Sequence, residues 1–252
     1  MGAPRAIALC KCFSGALEYQ AGNWDEAETV LAESIKLYRE LGAASGEALA
    51  WQRLGVLQTA RGQHEEAMKS FQEGLEVADR AMMRAHCQIR LFASMIRNRL
   101  IVDDLTAADQ FYKLGLEMSV RHGNCVTCDA LFFPVVVSLN LAKGNIKEAE
   151  EYCQRLEEAV DKYASSMWVA MANQSRGEVL AAQGLLEDAL EKYDKAYKIY
   201  QKVGHNYEAA RCLSATADLL DAKDASVEDQ QAVTIRAQAQ EIFERLGAAY
   251  PV

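Results

Sequence analysis

The chain has 252 residues, of which 50% are hydrophobic and 25% charged, and its formal net charge is −9. This acidic balance argues against direct binding of nucleic acid, because such binding depends on Lys and Arg side chains that neutralise phosphates. No run of about 18 apolar residues occurs, so we predict no membrane span. The apolar stretch at residues 6–9 is too short for a signal peptide and is followed by Lys11, which predicts a cytoplasmic protein. The seven cysteines are irregularly spaced and indicate reduced thiols.

Apolar residues recur at three- and four-residue spacing along almost the whole chain, a pattern typical of amphipathic helices. Polar or glycine-containing joints separate the apolar stretches and divide them into pairs. We therefore predict six helix pairs, at residues 5–41, 45–80, 83–121, 126–162, 165–203 and 206–246. The last pair contains a longer, charged turn at residues 222–229.

The pairs repeat one another. An alanine recurs at intervals of 40 or 41 residues, at Ala27, Ala67, Ala108, Ala149 and Ala189. Five residues before each alanine stand Gly22, Gly62, Asp103, Gly144 and Gly184. Glycine suits a tight turn because it has no Cβ, and the third repeat, which has Asp103 instead, departs from this pattern. A repeat of 20–50 residues indicates a solenoid, in which each repeat packs on its neighbours.

The second repeat resembles the tetratricopeptide repeat (TPR) family, through Trp51, Leu54, Gly55, Gly62, Ala67 and Phe71. The resemblance covers residues 5–222 and implies an all-α protein, an α-α superhelix or TPR-like solenoid. Two features depart from the family: the period exceeds its usual length of about 34 residues, and its terminal proline is missing from every repeat. We expect the last pair to be an atypical C-terminal cap. No Gly/Ser/Pro-rich linker occurs, which predicts a single domain over residues 1–252.

The fourth repeat is irregular. Residues 131–137 read Leu-Phe-Phe-Pro-Val-Val-Val, which on propensity alone favours a buried strand. The repeat register instead favours a helix. Proline inside a helix removes a hydrogen bond and kinks the backbone. Two alternatives follow: the helix bends at Pro134, or it begins near Phe133 with Pro134 in its first turn.

In TPR proteins the first helix of each pair lines a concave groove that binds a partner segment. Carried over by register, this resemblance selects Gln52, Arg90, Arg97, Pro134, Ser138, Gln174, Glu178 and Arg211. The guanidinium groups of Arg90, Arg97 and Arg211 are suited to bind a carboxylate or a phosphate. The alternative is that these arginines form a solvated face or pair with acidic residues of the next repeat. The peptide-carboxylate clamp of some family members is absent, since Ala16, Gln52 and Val56 occupy the comparable positions, and we do not expect recognition of chaperone C-termini.

Cys125 and Cys128 form a C-x-x-C motif. A structural zinc ion needs four ligands, commonly two such pairs, and only His122 is near in sequence. A redox C-x-x-C normally lies in a βαβ context, which is missing. We interpret the cysteines as two small residues at a helix start and predict no metal and no cofactor, with a metal protein or enzyme using this pair as the alternative. No Ser/His/Asp set and no phosphate-binding loop occurs, so we predict that the chain is not an enzyme.

The sequence therefore predicts a non-catalytic protein–protein interaction scaffold. The joint at residues 38–42 and the closing residues 241–247 resemble the repeat regions of large bacterial signalling ATPases and transcription activators. That resemblance implies a regulatory or sensor region of a transcription regulator. The alternative is a sensor of small anionic ligands, with a pocket around Arg97, Phe133, Pro134 and Gln174. Self-association through the ends of the solenoid is also open.

Overall fold

The computed structural model of the protein describes residues 3–123, 125–163, 165–223 and 230–249. Over these ranges the chain forms twelve α-helices and no β-strand. The helices are α1 (Pro4–Ala21), α2 (Trp24–Glu40), α3 (Ala44–Ala60), α4 (His64–Ala78), α5 (Arg84–Ile101), α6 (Leu105–His122), α7 (Val126–Ala142), α8 (Ile146–Asp161), α9 (Ser166–Ala182), α10 (Leu186–Lys202), α11 (Asn206–Lys223) and α12 (Gln230–Leu246). This confirms the predicted all-α, TPR-like fold of six helix pairs.

The predicted turn at residues 222–229 is partly wrong, because α11 continues to Lys223. Its remaining residues, 224–229, lie outside the described ranges. None of the described helices is both long enough and apolar enough to cross a membrane.

The chain divides into two compact units, Met1–Phe132 and Phe133–Val252, and the boundary falls within α7. In unit 1 the two helices of each pair pack together, as α1 with α2, α3 with α4 and α5 with α6. The first helices of neighbouring pairs also contact one another, α1 with α3 and α3 with α5. In unit 2, each helix from α8 to α12 packs on the next.

The small residues that recur in each repeat lie at close contacts between the two helices of a pair. All five repeating alanines are fully buried. A Cβ added to Gly55 on α3 would lie 2.3 Å from the ring of Phe71 on α4. In the first repeat, a Cβ on Gly15 would lie 2.6 Å from the side chain of Leu31. Small residues on one helix therefore leave the space that a large side chain of the other fills, at the density of a protein interior.

The turn of the third repeat forms without glycine. The glycines at the equivalent turns have φ between 75° and 96°, and Asp103 has φ of 56°. Asp is one of the few non-glycine residues that enter this left-handed region at modest cost. The next residue, Asp104, caps α6, since its side chain accepts a hydrogen bond of 3.0 Å from the Ala107 amide. The acidic pair thus supplies both the turn and the helix cap.

Helix α7 begins at Val126 and continues through Pro134. The alternative in which it begins near Phe133 is therefore wrong, and residues 131–137 are helical despite their strand propensity. An internal proline costs about 3 kcal/mol. Burial offsets this cost, because Phe132, Phe133 and Val136 are nearly inaccessible to solvent and each such side chain contributes about 1.5–3 kcal/mol.

Candidate functional site

Polar side chains of the first helices of unit 1 form hydrogen bonds from one helix to the next. We call Cys12, Gln52, Arg53, Arg90 and Ser94 the first-helix face of unit 1. The Nε2 atom of Gln52 on α3 donates a hydrogen bond of 2.7 Å to the Oγ atom of Ser94 on α5. Arg53 donates from Nη1 to the Cys12 carbonyl oxygen on α1, also at 2.7 Å. These bonds join residues about one repeat apart, so the register places equivalent positions of neighbouring first helices side by side.

Two guanidinium groups on this face lack acidic partners. In the part of the chain that the structure describes, neither Arg53 nor Arg90 forms an ion pair with a carboxylate. The Nε atom of Arg90 is buried and has no hydrogen-bond partner. Burial, followed by the nearby charge of Arg53, lowers the pKa of Arg90. An arginine keeps its proton in proteins. Arg53 and Arg90 therefore place two positive charges near each other in a protein whose net charge is negative.

Arg53 also borders an apolar side chain. Its guanidinium lies 4.4 Å from the centre of the Phe13 ring on α1, within the range of a cation–π contact. Phe13 is 53% exposed. The positive charge of the face therefore adjoins an accessible aromatic ring.

The predicted groove residues of unit 2 have a different electrostatic balance. Ser138 on α7 donates a hydrogen bond of 2.7 Å to Oε2 of Glu178 on α9, and one of 3.2 Å to the carbonyl oxygen of half-buried Pro134. Arg211 on α11 pairs with Glu208 at 2.8 Å. Burial lowers the pKa of Arg211, but the charges of Glu208 and Glu178 outweigh burial and raise it above its ordinary value. Charge is therefore compensated here, unlike on the first-helix face of unit 1.

Two other predicted residues differ in their surroundings. Gln174 on α9 is 8% exposed, and its Oε1 accepts a hydrogen bond of 3.0 Å from the Tyr200 hydroxyl on α10. The Gln174 side chain therefore contributes to the packing of α9 against α10. Arg97 is half-buried on α5, seven residues after Arg90, and so lies on the same side of that helix.

A second cluster of polar side chains lies where α5 and α7 begin and α6 ends. The Sγ atoms of Cys125 and Cys128 are 2.8 Å apart, and Nδ1 of His86 lies 3.1 Å from Cys128 Sγ. The distance from His86 Nδ1 to Cys125 Sγ is 3.8 Å. His122 joins them, and one ligand atom from each of the four residues lies within 4.8 Å of all the others.

Sequence reasoning missed His86 because it considered only neighbours along the chain. His86 is in the first turn of α5, and Cys128 is in the first turn of α7. The two residues are 42 positions apart, which is close to one repeat, so the register could have paired them. Burial, followed by the charges of Arg90 and His122, lowers the pKa of His86. Burial and contact with Cys125 raise the pKa of the Cys128 thiol.

Comparison with known proteins finds one solved structure that shares this fold at a TM-score above 0.5. BtubC (BKLC) from P. vanneervenii is 14% identical, with a TM-score of 0.54 and coverage of 94% of each chain. A tetratricopeptide repeat protein from Parabacteroides merdae ATCC 43184 is 14% identical, with a TM-score of 0.47 and coverage of 97% of this chain and 98% of that chain. The TPR2AB domain of yeast Sti1, in complex with pHSP90, is 16% identical, with a TM-score of 0.40 and coverage of 96% and 98%. No curated protein matches the chain significantly.

The six helix pairs, their glycine turns and their small-residue contacts define a helical-repeat protein of the TPR class, a class that suggests a protein–protein interaction scaffold. Residues 6–230 match the sequence model of the MalT-like TPR region. Because the match covers most of the chain, the protein belongs to this family.

Proposed function

We propose that the chain is a non-catalytic scaffold that binds an acidic segment of a partner protein on the first-helix face of unit 1. The observation that carries this proposal is the pair Arg53 and Arg90, which has no carboxylate partner in the described residues. A carboxylate or phosphate placed between them relieves the repulsion of the two guanidiniums.

The surroundings of the two arginines favour a protein ligand over a bare ion. Both arginines are half-buried, so a bound anion is less screened by salt than one on an open surface. Guanidinium groups bind carboxylates in a bidentate geometry, which sets the orientation of the ligand. Phe13 offers an aromatic contact beside Arg53. The best ligand is therefore a segment that carries an acidic residue next to an apolar one.

The test is selection of binding peptides from a random displayed library, followed by fluorescence anisotropy of the selected peptides. We expect the wild-type chain to select acidic peptides and the double variant Arg53→Glu/Arg90→Glu to lose at least about 10-fold in affinity. Loss of one hydrogen bond to a charged group is worth about 1.5–3 kcal/mol. The matched control is Arg80→Glu/Arg245→Glu, which changes the net charge equally at two exposed arginines.

Two results would count against the proposal. Selected peptides without enrichment in Asp and Glu would remove the electrostatic argument. Equal affinity of the double variant and the wild type would move the binding site elsewhere. Binding of an anionic metabolite that depends on Arg90, without any peptide binding, would instead support the small-molecule sensor.

The family match supports a regulatory setting for this binding. The MalT-like TPR region agrees with the resemblance of residues 38–42 and 241–247 to the repeat regions of large bacterial transcription activators. We propose that the scaffold acts as the sensor region of such a regulator. A reporter gene controlled by the regulator tests this, since Arg53→Glu/Arg90→Glu should change its response and Arg80→Glu/Arg245→Glu should not.

A further inference from the structure

We propose that unit 1 contains a structural binding site for a zinc-type divalent ion, with His86, His122, Cys125 and Cys128 as its four ligands. Two thiols and two imidazoles converge there from three helix ends, with one ligand atom of each within 4.8 Å of all the others. All four residues belong to unit 1.

The distances suit tetrahedral coordination. Zinc binds sulfur at about 2.3 Å and imidazole nitrogen at about 2.0–2.1 Å, so its ligand atoms lie about 3.3–3.8 Å from one another. The three distances among His86, Cys125 and Cys128 are 2.8, 3.1 and 3.8 Å. Two of these distances are shorter than the spacing around an ion, so binding requires side-chain rotations that move the atoms apart.

The local structure explains why these residues meet. Gly123, directly after α6, has φ of 72°, which turns the chain between His122 and the cysteines. Cys125 precedes α7, and Cys128 lies in its first turn. His86 then approaches from the first turn of α5, in the neighbouring repeat.

The ligand set indicates both the ion and its role. Two thiolates with two imidazoles suit Zn²⁺, and four protein ligands fill a tetrahedral shell without leaving a position for water. The site is therefore structural and ties together the ends of α5, α6 and α7. On binding, each thiol releases its proton to solvent, and the dication with two thiolates forms a neutral centre. No electron is transferred.

The alternative use of the two cysteines is a disulfide, which would involve only half of the cluster. It gives no reason for two imidazoles to converge on the same point. The two possibilities also differ in chemistry. A disulfide leaves no thiolate to bind a metal ion, whereas reduction of the disulfide restores both thiols.

The experiment is metal analysis and Co²⁺ titration of the full chain, purified and kept under a non-thiol reductant. We expect one ion per chain by mass spectrometry of the metal. Co²⁺ should give the visible bands of a tetrahedral centre and a sulfur-to-cobalt charge-transfer band. Zn²⁺ should displace it and abolish both.

Variants separate this site from chance binding. His122 is exposed, so His122→Gln should keep its helical circular dichroism and yet weaken Co²⁺ binding at least about 10-fold. Cys125→Ser should lower the charge-transfer intensity. Cys10→Ser and His64→Gln, a cysteine and a histidine outside the cluster, are the matched controls and should bind as the wild type does.

Three outcomes would overturn the proposal. The first is a reduced wild-type chain that binds no Zn²⁺ or Co²⁺. The second is equal binding by the cluster variants and the controls, which would identify adventitious metal. The third is an octahedral Co²⁺ spectrum without a sulfur band.

Discussion

Replacing Gly55 with alanine tests the contact on which the repeat is built. Gly55 lies on α3 against Phe71 of α4, and an added Cβ would lie 2.3, 2.6 and 2.8 Å from three ring carbons. Phe71 is fully buried, so its ring has no solvent into which to move. Overpacking of this kind costs about 1–3 kcal/mol. The better helix propensity of alanine returns about 0.5–1 kcal/mol, and the midpoints of the two ranges leave a net destabilisation of about 1 kcal/mol.

The equivalent glycine of the fifth repeat offers a graded comparison. At Gly177 an added Cβ would lie 3.1 Å from the Tyr193 ring, so Gly177→Ala should cost less than Gly55→Ala. Urea unfolding followed by circular dichroism measures both. The double variant Gly55→Ala/Phe71→Leu should show favourable coupling, because the smaller side chain makes room for the methyl group. A Gly55→Ala chain as stable as the wild type would refute the packing argument.

Two further predictions concern a turn and a histidine. Asp103 has φ of 56°, so Asp103→Gly should unfold at the same urea concentration as the wild type or a higher one. Asp103→Val should lower the free energy of unfolding by about 1–2 kcal/mol. Equal stability of the two variants would contradict this prediction. Burial, followed by the charge of Arg99, lowers the pKa of half-buried His64, although Glu65 opposes the shift. The unfolded chain therefore binds more protons just below the unperturbed pKa of about 6.5. The stability that the neutral imidazole contributes should be present above that value and be lost as pH falls through the native pKa. We expect the melting temperatures of the wild type and His64→Gln to diverge between about pH 7.5 and about pH 5, which is about 1 unit above and about 1.5 units below 6.5. Parallel curves would show that His64 does not contribute to the pH dependence of stability.

The two proposals for unit 1 can fail independently. Peptide binding depends on Arg53 and Arg90, whereas Co²⁺ coordination depends on His86, His122 and the two cysteines. His86 and Arg90 are four residues apart on α5, one helical turn. Measuring peptide affinity with and without Zn²⁺ therefore shows whether an ion that holds the start of α5 also affects the binding face.

The pairing of charges shows what the amino-acid pattern leaves open. Arg90 and Arg211 were both selected by register as groove residues. Arg211 has Glu208 three positions before it on the same helix and forms an ion pair with it. Arg90 is influenced by the charge of Arg53 from the adjacent first helix and has no carboxylate partner in the described residues. The Arg211 pair is thus local to one helix, whereas the surroundings of Arg90 depend on a side chain from the neighbouring repeat.

The sequence by itself determined the helices, their pairing and their turns, because these depend on interactions between residues close in the chain. Apolar spacing located the outer ends of the six helix pairs to within two residues, and glycines located four of the five turns within the repeats. Only the tertiary structure decided that α7 continues through Pro134, since burial of its apolar side chains outweighs the local cost of proline. Only the tertiary structure brought His86 to Cys125 and Cys128, across about 40 residues of chain. The repeat register places these positions about one repeat apart, but the meeting of their side chains depends on how one repeat packs on the next.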